Sequence, residues 1–334
     1  MKDLSGRDSI GIKKFYEKTN RFSARNFEDK LSLSFIENNE VKSNLAFYHE
    51  NCPLCLSEFS HSRLGFVKNG YKHWVCNSCD GIYTNPSLNI DTIQNKVYGK
   101  TLYPFFDSVN SQSQISFDMK RFKKTLEKLI NNGLKPKGGV MDFGCGSGFF
   151  LSLCREYGFE KPMGNDLINQ CVENAKINYK LDNIKLIDGF LDISRVDKNT
   201  KLVAMWEYLD HINEPHAFLT KLINKIISGT YIIISVRNGH SLAARVMKDE
   251  CNMFLGHAHF NFWSMKNIKL VIKEFNLNIV DQYQYISERE AVKNFLNFKS
   301  IYNSESDELD WLISEQEIFK NNLGYKHVLI LKKP

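Results

Sequence analysis

Hydrophobic positions fall into two regimes along this chain, and the change comes near residue 113. Beyond it, short apolar runs alternate with stretches whose apolar residues recur at three and four positions. Residues 116–131 carry Phe117, Phe122, Leu126, Leu129 and Ile130 at helical spacing. Gly139-Val140-Met141-Asp142-Phe143 then reads as a short buried strand, followed by a glycine-rich loop and a helix through Phe150, Leu151 and Leu153. Further strands are predicted at 162–166, 184–187, 202–206, 231–236 and 277–285, with helices over about 168–179, after Pro215 and over 264–275. The chain closes on Val328-Leu329-Ile330-Leu331. Strands and helices in this order predict an α/β fold with a mostly parallel sheet covered on both faces. Residues 286–324 are long for a connection and are expected to contribute helices of their own, as an insertion.

Before residue 113 the pattern is weaker. Residues 1–48 are polar and mixed and read as a partly helical extension. Residues 49–100 hold two cysteine pairs and a turn-rich stretch ending in Asn85-Pro86-Ser87. The expected organisation is therefore an extension (1–48), a small cysteine module (49–100) and a main domain (101–334).

Composition narrows the class. With 43% hydrophobic and 25% charged residues, a full core is available without unusual bias. The apolar runs, such as Tyr231-Ile232-Ile233-Ile234, are strand-sized, and the first residues have no signal-peptide core, so a cytoplasmic protein without a membrane span is expected. The net charge of +6 is scattered, whereas nucleic-acid binders concentrate positive charge on one face.

The loop Asp142-Phe143-Gly144-Cys145-Gly146-Ser147-Gly148 lies between a buried strand and a helix. Glycines there let the backbone bend sharply and approach a ligand, and the helix start beyond offers unpaired N–H groups. Its pattern, D-x-G-x-G-x-G, differs from the G-x-G-x-x-G dinucleotide fingerprint. Alone, such a loop also suits another nucleotide, a flavin or a plain tight turn. Acids recur at Asp142, Asp166 and Asp188 with strand-helix-strand intervals. Together these residues resemble the Rossmann-like, class I S-adenosylmethionine-dependent methyltransferases, over roughly residues 113–334. The resemblance implies a seven-stranded sheet with the last strand antiparallel. It also implies that Gly144, Cys145, Gly146 and Gly148 wrap the methionine part of the cofactor. Asp166, followed by Leu167, would bind the ribose hydroxyls, and Asp188-Gly189 would lie near the adenine amino group. Trp206-Glu207-Tyr208 would end the fourth strand at the active site.

Cys52-Pro53-Leu54-Cys55 and Cys76-Asn77-Ser78-Cys79 are two knuckles that can converge four thiolates on one tetrahedral ion. Four cysteine ligands leave no open position, so a structural zinc is expected. Neither pair begins a helix after a strand, which argues against a redox pair. The module resembles the N-terminal zinc ribbon of methyltransferases that decorate bacterial sugars and related small molecules. That resemblance implies a sugar or nucleotide-sugar acceptor, and the shorter chain fits O-methylation better than C-methylation. Tyr98 and Tyr103 are candidates to close over the cofactor.

A hydroxyl acceptor needs a base near the end of the fourth strand. His211, in Tyr208-Leu209-Asp210-His211, is the first candidate, because an unperturbed imidazole titrates near neutral pH. His257 and His259, in Gly256-His257-Ala258-His259-Phe260, are further candidates for base or substrate contact, and His240 follows them. Tyr208 completes the catalytic set. Two other functions share these parts. An RNA methyltransferase could use the ribbon to grip nucleic acid, although an Asn/Asp-Pro-Pro-Tyr element is missing after the fourth strand. A cofactor-binding regulator without turnover would keep the pocket alone.

Overall fold

The structure is a computed structural model and describes residues 11–99, 106–187, 189–190, 192–305, 309 and 314–334. The described residues begin with helices α1 (Ile12–Lys18) and α2 (Arg21–Ser34). Strands β1 (Ser62–Lys68), β2 (Tyr71–Cys76) and β3 (Ile82–Thr84) form the antiparallel meander of the cysteine module. Helix α3 (Gln112–Asn131) opens the main domain; its Ser111 side chain accepts a bond from Gln114 N–H and so caps the first turn. Then follow β4 (Gly139–Phe143), α4 (Phe149–Glu156), β5 (Lys161–Asp166), α5 (Asn169–Tyr179), β6 (Ile184–Leu186) and β7 (Thr200–Trp206). Helix α6 (Pro215–Lys225) starts at its proline, where a missing N–H costs nothing. The rest comprises β8 (Tyr231–Arg237), β9 (Asn261–Phe262), α7 (Met265–Glu274), β10 (Asn278–Tyr285), α8 (Arg289–Leu296), α9 (Glu315–Lys320) and β11 (Lys326–Lys332).

Seven strands make one sheet in the order β6-β5-β4-β7-β8-β11-β10. Pairings among β6, β5, β4, β7 and β8 are parallel; β11 runs antiparallel to both β8 and β10. Strand alternation divides the core into two layers. Val140, Leu202, Ala204, Ile233 and Ile330 enter one, and Met141, Val203, Met205, Ile232, Ile234 and Leu331 enter the other. The order reverses beside β4, so the carboxyl ends of β4, β5 and β7 open a crevice where α/β folds place ligands.

The cysteine module does not close on itself. Its sheet runs β9-β3-β2-β1, so the fourth strand, Asn261–Phe262, comes from the main domain. Residues 286–324 hold the helices α8 and α9. Among the described residues no helix is long and apolar enough to cross a membrane.

Buried histidines make an acid-sensitive core. Burial holds His73 and His257 down to about 3 and His327 to about 4. Each folded value lies below the unfolded ~6.5, so the unfolded chain takes up protons first as pH falls. Their contribution is complete above ~6.5 and is lost toward pH 4, by up to ~1.4 kcal/mol per unit for each residue. Urea unfolding should therefore keep its midpoint from pH 8 to 7 and lose it steeply from 6 to 4.5; an unchanged midpoint down to 4.5 would contradict this.

Candidate active site

The glycine loop is built by local constraints. Gly144 has φ 67°, and a Cβ there would stand 2.9 Å from Cδ2 of Tyr208. Gly146 has φ 52°; a Cβ would meet nothing within 4 Å, because that face is open to the cavity. Its N–H donates to Asp166 Oδ2 at 2.8 Å, and Ile168 N–H donates to Oδ1 at 2.9 Å. The acid ending β5 thus ties the loop after β4 to the start of α5. Gly148 is the N-cap of α4.

These residues line a cavity of about 270 Å³. Asp142, Gly144, Cys145, Gly146, Asp166, Leu167, Trp206, Glu207, Tyr208 and His211 all border it, as does Tyr98. Of the remaining cofactor candidates, Gly148 lies behind the loop as the helix cap, and Gly189 is outside this lining with φ 87°. Asp188 and Tyr103 lie outside the described residues. Asp142 is buried, and its Oδ1 has no hydrogen-bond partner among the described residues. Burial, reinforced by the nearby Asp166 charge, pushes the Asp142 carboxyl well above its usual range. A buried acceptor without a donor beside an open glycine backbone fits a ligand bearing hydroxyl or ammonium donors, which the aminoacyl and ribosyl parts of S-adenosylmethionine supply.

Glu207 is the hinge of the site. It directly follows β7 with φ 57°, unusual for a residue with a side chain. Tyr285 O–H donates to its Oε1 at 2.9 Å and Arg121 Nη1 lies 3.4 Å from the same oxygen. Lys326 Nζ contacts Oε2, with Arg237 Nη2 at 3.6 Å. Burial alone would raise this carboxyl, but Lys326, Arg237 and Arg121 outweigh it and hold it well below its usual range. Burial in turn lowers Lys326 to about 8 despite its carboxylate partner. Arg121 is stacked 4.9 Å over Trp206 and 5.0 Å over Phe122.

A second cavity, of about 200 Å³, adjoins the first across Val109, Asp118 and Glu207, which border both. His259, Arg237, Lys326, Asn252 and Glu288 border it from the main domain, and Phe15, Tyr16, Arg21 and Arg25 from α1 and α2. His259 Nδ1 faces the Met253 carbonyl at 3.2 Å, which sets that nitrogen as the donor and leaves Nε2 with the lone pair. Burial and then Arg237 push His259 well below its usual range, so it is neutral at working pH. His211 stands 4.7 Å away ring to ring; its Nδ1 meets Tyr98 Oη at 2.7 Å and the Ala258 carbonyl at 2.8 Å. Burial, with Arg237 beside it, lowers His211 to about 3.

Three further sequence candidates make contacts of other kinds. The Tyr208 hydroxyl donates to the Phe190 carbonyl, and its ring walls the glycine loop. His257 borders neither cavity; it is buried, 4.0 Å from Glu28 through Nε2. His240 donates through Nε2–H to the Asp80 carbonyl, 2.5 Å away, and serves the module interface. Arg121, Arg237, Lys326 and Asp118 were not singled out from the sequence, although each borders a cavity.

Cys52, Cys55, Cys76 and Cys79 bring four Sγ atoms within 4.8 Å of one another. The Cys52–Cys79 and Cys55–Cys76 separations are 3.8 and 3.7 Å. A regular tetrahedron of thiolates at ~2.3 Å from one ion has edges of ~3.8 Å, so the cluster has the geometry for a tetrahedral ion. Gly81 N–H lies 3.4 Å from Cys79 Sγ and supports that sulfur.

Sheet order, glycine loop and paired acids define a Rossmann-like methyltransferase. A family model described as "Methyltransferase domain" matches residues 115–282, half of the 334-residue chain, and the chain belongs to that family. It is an S-adenosylmethionine-dependent methyltransferase. Similar solved structures include one from a complex of the Haloferax volcanii Trm112 methyltransferase activator with a methyltransferase (14% identity, 69% of this chain, 97% of the other, TM-score 0.47). A SAM-dependent methyltransferase from Archaeoglobus fulgidus shares 20% identity over 66% of this chain and 94% of its own (TM-score 0.45). Magnesium protoporphyrin IX methyltransferase from Synechocystis PCC 6803, with bound SAH, shares 14% identity over 73% and 97% (TM-score 0.46). No curated protein matches the sequence.

Proposed function

We propose that this methyltransferase acts on a hydroxyl of a small polar acceptor, a sugar or sugar conjugate, held in the second cavity. The observation that carries this reading is the junction of the two cavities at Glu207 and Asp118. The second cavity is walled by aromatic rings and by charged donors and acceptors, a surface suited to a ring bearing several hydroxyls.

Bound S-adenosylmethionine supplies an electrophilic methyl group from its sulfonium. The protein's part is placement, which can be worth ~7–11 kcal/mol when nucleophile and methyl are held in line. Gly144, Cys145, Gly146 and Asp142 hold the methionine portion and Asp166 the ribose, with Asp188-Gly189 assigned to adenine. Glu207, ionised and fixed by three cations, orients an acceptor hydroxyl between the cavities. His259 Nε2 takes the hydroxyl proton, and His211, packed against it, keeps its orientation. The cysteine cluster holds a structural zinc, and the ribbon, the extension and the main domain form the three parts of the chain.

His259→Ala is expected to lower kcat by ~10²–10⁴ while S-adenosylhomocysteine affinity stays within twofold. Methyl transfer to a panel of free and nucleotide-linked sugars, read by mass spectrometry, together with calorimetry, checks both halves. Because His259 is neutral well below the ordinary histidine range, wild-type activity should not fall as pH drops through ~6.5. Full turnover by the variant would remove the base assignment, and no transfer to any hydroxylated acceptor by the wild type would remove the substrate class.

A further inference from the structure

We infer that the N-terminal helices are the acceptor-recognition element, and that Arg21 and Arg25 bind an oxyanion carried by the acceptor, a carboxylate or a phosphate ester. This rests on the reading of the second cavity as the acceptor site. Residues 12–28 lie outside the matched methyltransferase region, 115–282, yet they bring Phe15, Tyr16, Arg21 and Arg25 to the cavity wall.

The arm is fastened in place from several sides. Ile12 N–H donates to Glu290 Oε2 at 2.5 Å, Tyr16 stacks on Tyr302 with centroids 5.5 Å apart, and Asn252 Nδ2 meets Tyr16 Oη at 3.3 Å. Arg21 and Arg25 are four positions apart on α2, which puts both guanidiniums on one face of the helix. Both are held before any ligand arrives. Arg21 lies 5.3 Å over Phe15 and 6.0 Å over Tyr16, and donates through Nη2 to Gln114 Oε1 at 2.7 Å. Arg25 donates to Glu28 Oε2 at 3.2 Å and to the Asn252 carbonyl at 3.1 Å. Stacked, weakly hydrated forks of this kind match the planar or tetrahedral oxygens of a carboxylate or phosphate.

Charge around the cavity divides unevenly. Among the described residues its cations are Arg21, Arg25, Arg237 and Lys326, and its carboxylates are Asp118, Glu207 and Glu288. Arg237 and Lys326 are tied to Glu207, Arg237 also to Asp210, and Asp118 to Arg121. Arg25 is salt-bridged to Glu28, which borders no part of the cavity and which burial raises to about 7 even with Arg25 beside it. An acceptor oxyanion at that end meets two preorganised guanidiniums, while its hydroxylated part reaches Glu207 and His259.

The test is calorimetric titration of the full chain, loaded with S-adenosylhomocysteine, with glucuronate, glucose 1-phosphate and glucose. Glucuronate and glucose 1-phosphate should each bind at least tenfold more tightly than glucose, and the larger of the two preferences tells carboxylate from phosphate. Arg21→Gln/Arg25→Gln should erase the preference and leave S-adenosylhomocysteine affinity within twofold, which also shows that the variant is folded. Equal binding of all three sugars by the wild type overturns the inference, as does a preference that survives in the double variant. Loss of transfer in His259→Ala with the anion preference intact leaves it standing. Transfer to neutral acceptors without any anion preference overturns it while keeping the cavity reading.

Discussion

Asp166→Ala should weaken S-adenosylhomocysteine binding by ~10²–10³, about 3–4 kcal/mol, the loss expected for two charge-assisted hydrogen bonds and a ligand contact. Its carboxylate does two jobs at once. One oxygen takes the N–H of Gly146 and the other that of Ile168, so the loop after β4 and the start of α5 are fixed to the end of β5. The same group borders the cofactor cavity and is assigned to the ribose. Without it, Gly146 is free to leave its left-handed conformation, and the cradle must be rebuilt each time a ligand binds. Asp166→Asn keeps the size and one acceptor oxygen, so it should fall between wild type and alanine. Burial also raises the Asp166 carboxyl, so its charge is lost at higher pH than in an exposed aspartate, and affinity should decline on acidification sooner. Calorimetry across the three proteins at two pH values reads all of this. Alanine binding as tightly as wild type would show that the loop holds its shape unaided and that the ribose is bound elsewhere.

The parts of this site that could be read from the sequence are those whose constraints are local. Gly144, Gly146 and Gly148 stand within five residues of one another, and each answers to a turn, a close neighbour or a helix start. Asp166 was found because strand, helix and strand have nearly fixed lengths. The cation cage around Glu207 is not legible, since Arg121, Arg237 and Lys326 come from three elements far apart in the chain. Arg121 did leave a signal: it occupies the buried stripe of α3, between Phe117 and Thr125, where an unpaired charge would be costly. Lys326 could have been located by topology. It begins the one antiparallel strand, and the start of such a strand lies at the carboxyl edge of its parallel neighbours. The two-residue strand β9 left no periodicity to read, being too short for alternation to show. Arg21 and Arg25 sit in a polar stretch where a charged face is ordinarily solvated, and only the docking of α2 gives them a cavity to face.

That two-residue strand decides what metal removal should do. In the proposed reading the four cysteines hold zinc, and such sites contribute ~10–16 kcal/mol of apparent binding energy at neutral pH. A ribbon of this size has little core to replace it. The knuckle backbones are also gripped by the main domain. Ser264 Oγ donates to the Cys79 carbonyl at 2.7 Å, Asn267 Nδ2 to the Leu54 carbonyl at 3.1 Å, and Thr84 N–H to the Phe260 carbonyl at 2.9 Å. Between these anchors runs Phe260-Asn261-Phe262, directly after His259. Unfolding of the knuckles therefore frees β9 and the start of α7, and the acceptor-side histidine loses its fixed neighbour. The glycine loop and Asp166 make none of these contacts. Chelation, or Cys76→Ser, should accordingly raise hydrogen exchange across residues 257–264 and abolish methyl transfer, while S-adenosylhomocysteine affinity changes by less than about threefold, under ~0.7 kcal/mol. Exchange that stays slow after metal loss has been verified would detach the ribbon from the acceptor site. Cofactor binding that collapses together with transfer would mean that the module supports the whole sheet, because the crevice at β4 and β5 could then not stand without it.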